Sequence, residues 1–179
     1  MTVIDIGSAA IDRTSNFGST YTRIAINNPA NATGKLTSIE IWANTNQTGV
    51  VVGTLSGSGT SYTPRDSEYL GAVTAGSKQT FSGLNIDVSS GDYIGYYDAT
   101  GGIEQGTGSG HYYKSGNQFA AGTQTYTLAA GYDFSLYGTG SDVVGWTHIA
   151  KVNGVSAASI AKMNGVAVAS IAKVNGVAV

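Results

Sequence analysis

The sequence contains no cysteine, 2 prolines, 2 histidines, and charged residues amount to only 11% of its 179 positions. Each shortage removes a class of explanation. Without cysteine there is no disulfide framework, no thiolate metal site and no cysteine nucleophile. Two separated histidines, His111 and His148, do not form a zinc cluster. A net charge of −2 supplies neither the basic footprint that nucleic acid demands nor a polybasic membrane patch. No apolar run reaches the length needed to span a bilayer, so membrane insertion is not expected. The N-terminal stretch MTVIDIGSAAIDRTSN lacks a basic head and an apolar core, so no signal peptide is expected.

What the chain does have is glycine, 26 residues of it, and 11 tyrosines, among abundant Ser, Thr, Asn, Ala and Val. This composition disfavours long helices and favours short strands joined by tight turns. Period-two patterns bounded by turn residues predict strands near residues 3–6, 20–26, 35–43, 50–56, 67–73, 77–81, 84–88, 93–97, 111–114, 123–128 and 133–137. In LTSIEIWAN, Ile39, Ile41 and Ala43 alternate with Glu40 and Trp42, the mark of a strand with one buried face. LNIDV alternates in the same way, with Leu84, Ile86 and Val88 inward. Between the strands lie NNPANATG, SGSGTS, SSGD, TGG and GTGSG, all turn compositions. The expected fold is all-β: an antiparallel β-sandwich of jelly-roll type over residues 1–140. A linker at 141–145 then leads to a repeat segment, 146–179.

That segment repeats one motif at a period of 11 residues: IAKVNGVSAAS (149–159), IAKMNGVAVAS (160–170) and IAKVNGVAV (171–179). An 11-residue period also fits a right-handed helical supercoil. Each copy, however, carries Asn-Gly, the dipeptide favoured in two-residue type I′ hairpin turns, with β-branched residues around it. The reading is therefore strand–turn–strand, built from Ile149, Val152, Asn153, Gly154 and Val155 in the first copy. Ile160, Met163, Asn164, Gly165 and Val166 form the second, and Ile171, Val174, Asn175, Gly176 and Val177 the third. A hairpin this small cannot bury enough surface to stand alone in water. It needs neighbours, from the same chain or from other chains. The apolar stretch ending at Val179 is expected to be covered in an oligomer or by a partner.

Catalytic chemistry finds little to work with. There is no GxSxG nucleophile elbow near His111, and GTGSGH is not followed by the Lys-Ser/Thr pair of a phosphate loop. Carboxylate pairs such as Asp66/Glu68, Asp87/Asp92 and Asp98/Glu104 could hold calcium or serve a glycosidase, but none forms a loop of alternating acids. Asp66 and Asp92 read as turn formers. No enzyme activity and no cofactor are expected, calcium being the one metal the composition leaves room for. Aromatic residues point to another class, sugar binding. Adjacent tyrosines in YIGYY and HYYK lie on opposite strand faces, so one of each pair faces out. Trp42, Tyr97, Tyr112 and Tyr113 are the candidate glycan-stacking residues.

The tail IAKVNGVSAASIAKMNGVAVASIAKVNGVAV resembles the I-A/S-K-V/I-N-G-V repeats found near the ends of bacteriophage and prophage virion proteins. The part before it, with FSGLNIDVSS leading into GDYIGYYDATG, looks like a β-sandwich of the carbohydrate-binding-module or viral-adhesin sort. The resemblance implies a structural role as a decoration, fibre or adhesin protein, located in a virion or on an extracellular surface. It implies self-assembly through the repeats, with a homotrimer as the first expectation and an open filament as the second, or contact with other virion proteins. The rival expectation is a lectin module that the repeats merely tether, with a cell-surface glycan as partner.

Overall fold

The computed structural model describes Thr2–Asp142 in full, together with the backbone pairing of six two-residue strands between Lys151 and Ala178. Thr2–Asp142 forms one compact unit and the C-terminal segment another. Among the described residues there is no helix, hence none long and apolar enough to cross a membrane. The all-β antiparallel class holds.

The first unit is a 13-stranded sheet bent around one very long strand, β4 (Gly34–Ser58). The N-terminal half of β4 pairs with β13 (Leu136–Ser141) on one side and β6 (Lys78–Val88) on the other, and β1 (Val3–Gly7) completes this wing against β13. The C-terminal half pairs with β5 (Ser61–Val73) and β7 (Tyr93–Tyr97). From β7 the second wing continues through β3 (Tyr21–Ala25) and β9 (His111–Ser115) to β11 (Thr127–Ala129). β10 (Gln124–Thr125) adds to β5. A third patch, β2 (Ser15–Gly18), β8 (Thr100–Thr107) and β12 (Tyr132–Phe134), joins the middle of β4 through β8. Register shifts between Leu36 and Ser38 and from Ala43 to Val51 let one strand serve all three.

The wings close on each other as in a sandwich, and the alternation in the sequence says which side chains meet. Ile39, Ile41 and Ala43 are wholly buried while Glu40 and Trp42 are half-buried; Ile86 and Val88 are buried with Leu84 packed at their edge. Gly138 lies where side chains of both wings meet. A Cβ there would stand 2.9 Å from Ile6 Cγ2, 3.1 Å from Ile39 Cδ1 and 3.2 Å from Ile94 Cδ1. Each such isoleucine contributes about 1.5–3 kcal/mol by leaving water. A second, smaller core of Ile24, Leu55, Tyr62 and Tyr126 covers the other face of the second wing.

Several expectations change. The strands foreseen at 35–43 and 50–56 are one, as are those at 77–81 and 84–88. The strand foreseen at 123–128 is two short ones, and that at 133–137 is divided between β12 and β13. TGG, read as a turn, opens β8. The start of the linker is also revised: Ser141 pairs with Val3 and with Lys35, so the first unit runs to Asp142. Residues 143–145 lie outside the described residues.

In the C-terminal unit, each copy of the repeat contains one antiparallel pair. Lys151–Val152 pairs with Val155–Ser156, Lys162–Met163 with Val166–Ala167, and Lys173–Val174 with Val177–Ala178. In register, Val152 is opposite Val155, Met163 opposite Val166 and Val174 opposite Val177, which leaves a two-residue connection in each copy. The connections themselves, Asn153-Gly154, Asn164-Gly165 and Asn175-Gly176, lie outside the described residues, as do Ile149, Ile160, Ile171 and His148.

Candidate functional site

Four strands, β2, β3, β9 and β11, converge on a cleft of about 180 Å³ lined by Phe17, Tyr21, Arg23, His111, Tyr113 and Ala129. The strand register explains the convergence. Arg23 of β3 stands opposite Tyr113 of β9 on one side and Tyr96 of β7 on the other. Directly opposed residues share a sheet face, so these three side chains project together, with Tyr21 and His111 on the same face at period two. Phe17 arrives from β2, which pairs with β8.

Tyr21 is positioned by an unusual residue. Thr20 has a φ of 69°, a left-handed conformation that β-branched side chains rarely adopt. Two backbone bonds hold it there: Thr20 N donates to Asp98 O and Gly116 N donates to Thr20 O, both at 2.8 Å. Strain of this kind persists only where surrounding structure imposes it. Its effect is to start β3 at Tyr21, whose ring meets Tyr113 edge-to-face at 5.9 Å.

The guanidinium of Arg23 lies between rings, its Cζ 4.8 Å from the centroid of Phe17 and 5.2 Å from that of Tyr21. Such placements favour the cation. Yet Arg23 is only 6% exposed, and its Nε and Nη1 have no hydrogen-bond partner. Burial lowers its pKa from the ordinary arginine value, against the opposing pull of Tyr96 and Asp98. Asp98 is fully buried and both its carboxylate oxygens also lack partners. Burial raises its pKa, although Tyr96 and Arg23 pull the other way. The Tyr96 hydroxyl accepts a bond from Gln47 Nε2 at 2.5 Å.

His111 is 2% exposed, packed 4.4 Å from Phe17 between ring centroids. Its Nδ1 lies 3.1 Å from Tyr132 O, which as a carbonyl can only accept, so Nδ1 carries the proton and Nε2 is left as an acceptor. Burial is the main cause that brings its pKa down to about 4; Arg23 adds to it, while the bond to Tyr132 and the charge of Asp133 oppose. His111 is therefore neutral at physiological pH.

Of the four aromatic residues singled out in the sequence, Tyr113 alone lines this cleft. Tyr112 points to the opposite face, as alternation predicts, and packs 5.2 Å from Tyr62 in the smaller core. Trp42 and Tyr97 are half-buried elsewhere, Trp42 in register with Lys78 and Tyr97 with Val51. The residues that sequence reasoning passed over are Phe17, Tyr21 and Arg23.

Comparison with known protein families, with curated proteins and with solved structures returns no match to this chain.

The carboxylates act locally. Asp92 takes the Ser89 amide at 2.8 Å and a two-point contact from Arg65, with Nη2 3.0 Å from Oδ1 and Nε on Oδ2. Asp66 accepts the amides of Ser67 and Asp87, each at 2.8 Å. Asp92 holds its turn as expected, whereas Asp66 is no turn former: it lies within β5 opposite Thr54 and bonds amides of its own strand and of β6. Glu104 accepts from Asn44 Nδ2 at 2.7 Å and from Arg13 N at 3.2 Å. Among the described residues, no three His, Asp or Glu side chains gather where a metal ion could be held.

Proposed function

We propose that this chain is a non-enzymatic structural protein of a phage virion or surface appendage. It assembles through its C-terminal repeats and carries the β-sandwich, of jelly-roll type, outward. The observation behind this reading is the antiparallel pairing present once in every copy, at the same register around Asn-Gly. Three two-residue pairings are far below what an isolated hairpin needs for stability in water. Their apolar residues and open strand edges gain most by adding to a neighbour's sheet. A homotrimer comes first among the closed arrangements; head-to-tail exchange would give a filament. Replacing Gly154, Gly165 and Gly176 together by valine removes the residue type that a type I′ turn would require for its positive φ. Light scattering coupled to size exclusion is expected to show loss of the oligomer, with the near-ultraviolet spectrum of the sandwich unchanged. An unchanged oligomer would exclude this mode of assembly.

A second reading, a glycan-binding module, is favoured by the cleft. Rings from Phe17, Tyr21 and Tyr113 around one guanidinium provide the apolar walls and placed polar group of a small-ligand pocket. The two readings are compatible, since an outward-facing adhesin can also be a structural subunit.

A further inference from the structure

The cleft is lined by a cation with two unpaired donors. Arg23 is more than nine-tenths buried, and neither Nε nor Nη1 has a hydrogen-bond partner. Leaving donors of a charged group unmade is costly, and the loss is recovered when a suitable acceptor arrives. Asp98 does not fill this role, since its own oxygens have no hydrogen-bond partner and it makes no ion pair with Arg23. Lys114, the cation of the neighbouring strand β9, turns to Thr125 O at 3.3 Å and leaves the cleft to Arg23.

The walls specify the rest of the ligand. Phe17, Tyr21, Tyr113 and His111 present rings, not amides or carboxylates. Tyr21 and Tyr113 stand edge-to-face, and Arg23 already stacks on Phe17 and Tyr21. The volume of about 180 Å³ suits one six-membered ring with a single substituent; a cavity of about 150 Å³ already holds benzene. A guanidinium matches a carboxylate in planarity and in the spacing of its donors.

We propose that the cleft between β2, β3 and β9 binds a single ring bearing a carboxylate, with Arg23 on the carboxylate and Phe17, Tyr21 and Tyr113 against the ring. This inference rests on the second reading, that the cleft is a ligand site, and names the charge its ligand carries. Two sources share the chemistry: an acidic sugar residue such as a hexuronate, or a free aromatic acid. Neutral His111 offers Nε2 to a hydroxyl, a contact that only the sugar would use.

The test uses the full chain and protein-observed NMR, with glucuronate, benzoate, glucose and inorganic sulfate as separate probes. Glucuronate or benzoate is expected to shift the Arg23 Nε–H resonance in a saturable way and to bind about tenfold or more tighter than glucose, with sulfate inert. Arg23→Met should weaken the acid by about tenfold or more and leave any binding of glucose unchanged. If that variant does not fold, Tyr113→Leu serves as a second, neutral perturbation of the wall and should weaken both acids. Preference for glucuronate over benzoate assigns the sugar, and the reverse assigns the aromatic acid. Equal binding of glucose and glucuronate would overturn the carboxylate role while keeping the ring site. No shift of Arg23 with either acid would overturn both.

Discussion

Arg23 stands directly opposite Tyr113 across the β3–β9 pair, and both side chains line the same cleft. The pairing ties the aromatic wall to the buried cation, so a change in either is felt at the other. It also links the cleft to the interior, because the other cross-strand neighbour of Arg23 is Tyr96, a fully buried ring beside Phe134.

His111 makes the stability of the sandwich depend on pH. Its folded pKa of about 4 lies below the ordinary histidine value of 6.5, so between these values the unfolded chain binds more protons than the folded one. Stability therefore rises with pH across this window and is lost as pH falls from about 6.5 toward 4. The size is about 3 kcal/mol. Urea titrations at pH 4.5 and 7.5 should show the difference, and His111→Gln should remove most of it. An equal slope in the variant would mean that another group is responsible.

Asp98 acts in the opposite direction. Burial raises its folded pKa, so the folded chain binds the extra proton and stability falls as pH rises through that range. Asp98→Asn should therefore flatten this decline and leave the protein at least as stable as the parent at pH 8. The same urea titrations measure it. A large loss of stability at pH 8 would show that the carboxylate is a needed counter-charge for Arg23.

Asp92 is buried and depends on Arg65 for its counter-charge. Arg65→Ala leaves it with the Ser89 amide alone, and the expected loss is about 1–3 kcal/mol. Arg65→Lys should recover part of this, since it restores charge but not the two-point geometry. Thermal unfolding of the three proteins ranks them. Equal midpoints would show that the pair contributes nothing.

Gly138 leaves no room for a side chain against Ile6, Ile39 and Ile94. Gly138→Ala places a methyl 2.9 Å from Ile6 Cγ2 and should cost about 1–3 kcal/mol through overpacking. Ile39→Val in the same chain removes the Cδ1 that would lie 3.1 Å from that methyl, and the double variant should lose less than the sum of the single losses. Strict additivity in denaturation would place the cost elsewhere.

Much of the fold is legible because alternation is a local signal. Ile39, Ile41 and Ala43 announce their face without help, and the opposed directions of Tyr112 and Tyr113 follow from adjacency alone. β2 and β8 are not legible in this way. SNFG and TGGIEQGT carry turn-type residues, and pair because the chain around them imposes it: Phe17 with Ile103, and Ala43 with Ile103 across the bend of β4. The union of two expected strands into β4 has the same origin, since ANTNQTG looks like a loop until β8 binds it. The cleft was half visible. Tyr113 could be named from HYYK, but Arg23 lies in YTRIA, where a cation in an alternating strand normally faces water. Its burial comes from Phe17, which reaches it from a strand about which the local pattern is silent.

The central claim is that the C-terminal repeats assemble this protein, and sedimentation velocity tests it most directly. The full chain is compared with a chain ending at Gly145, which retains the whole Thr2–Asp142 unit. The account predicts an oligomer for the full chain and a monomer for the shortened one over the same concentrations. Identical oligomeric states would contradict it.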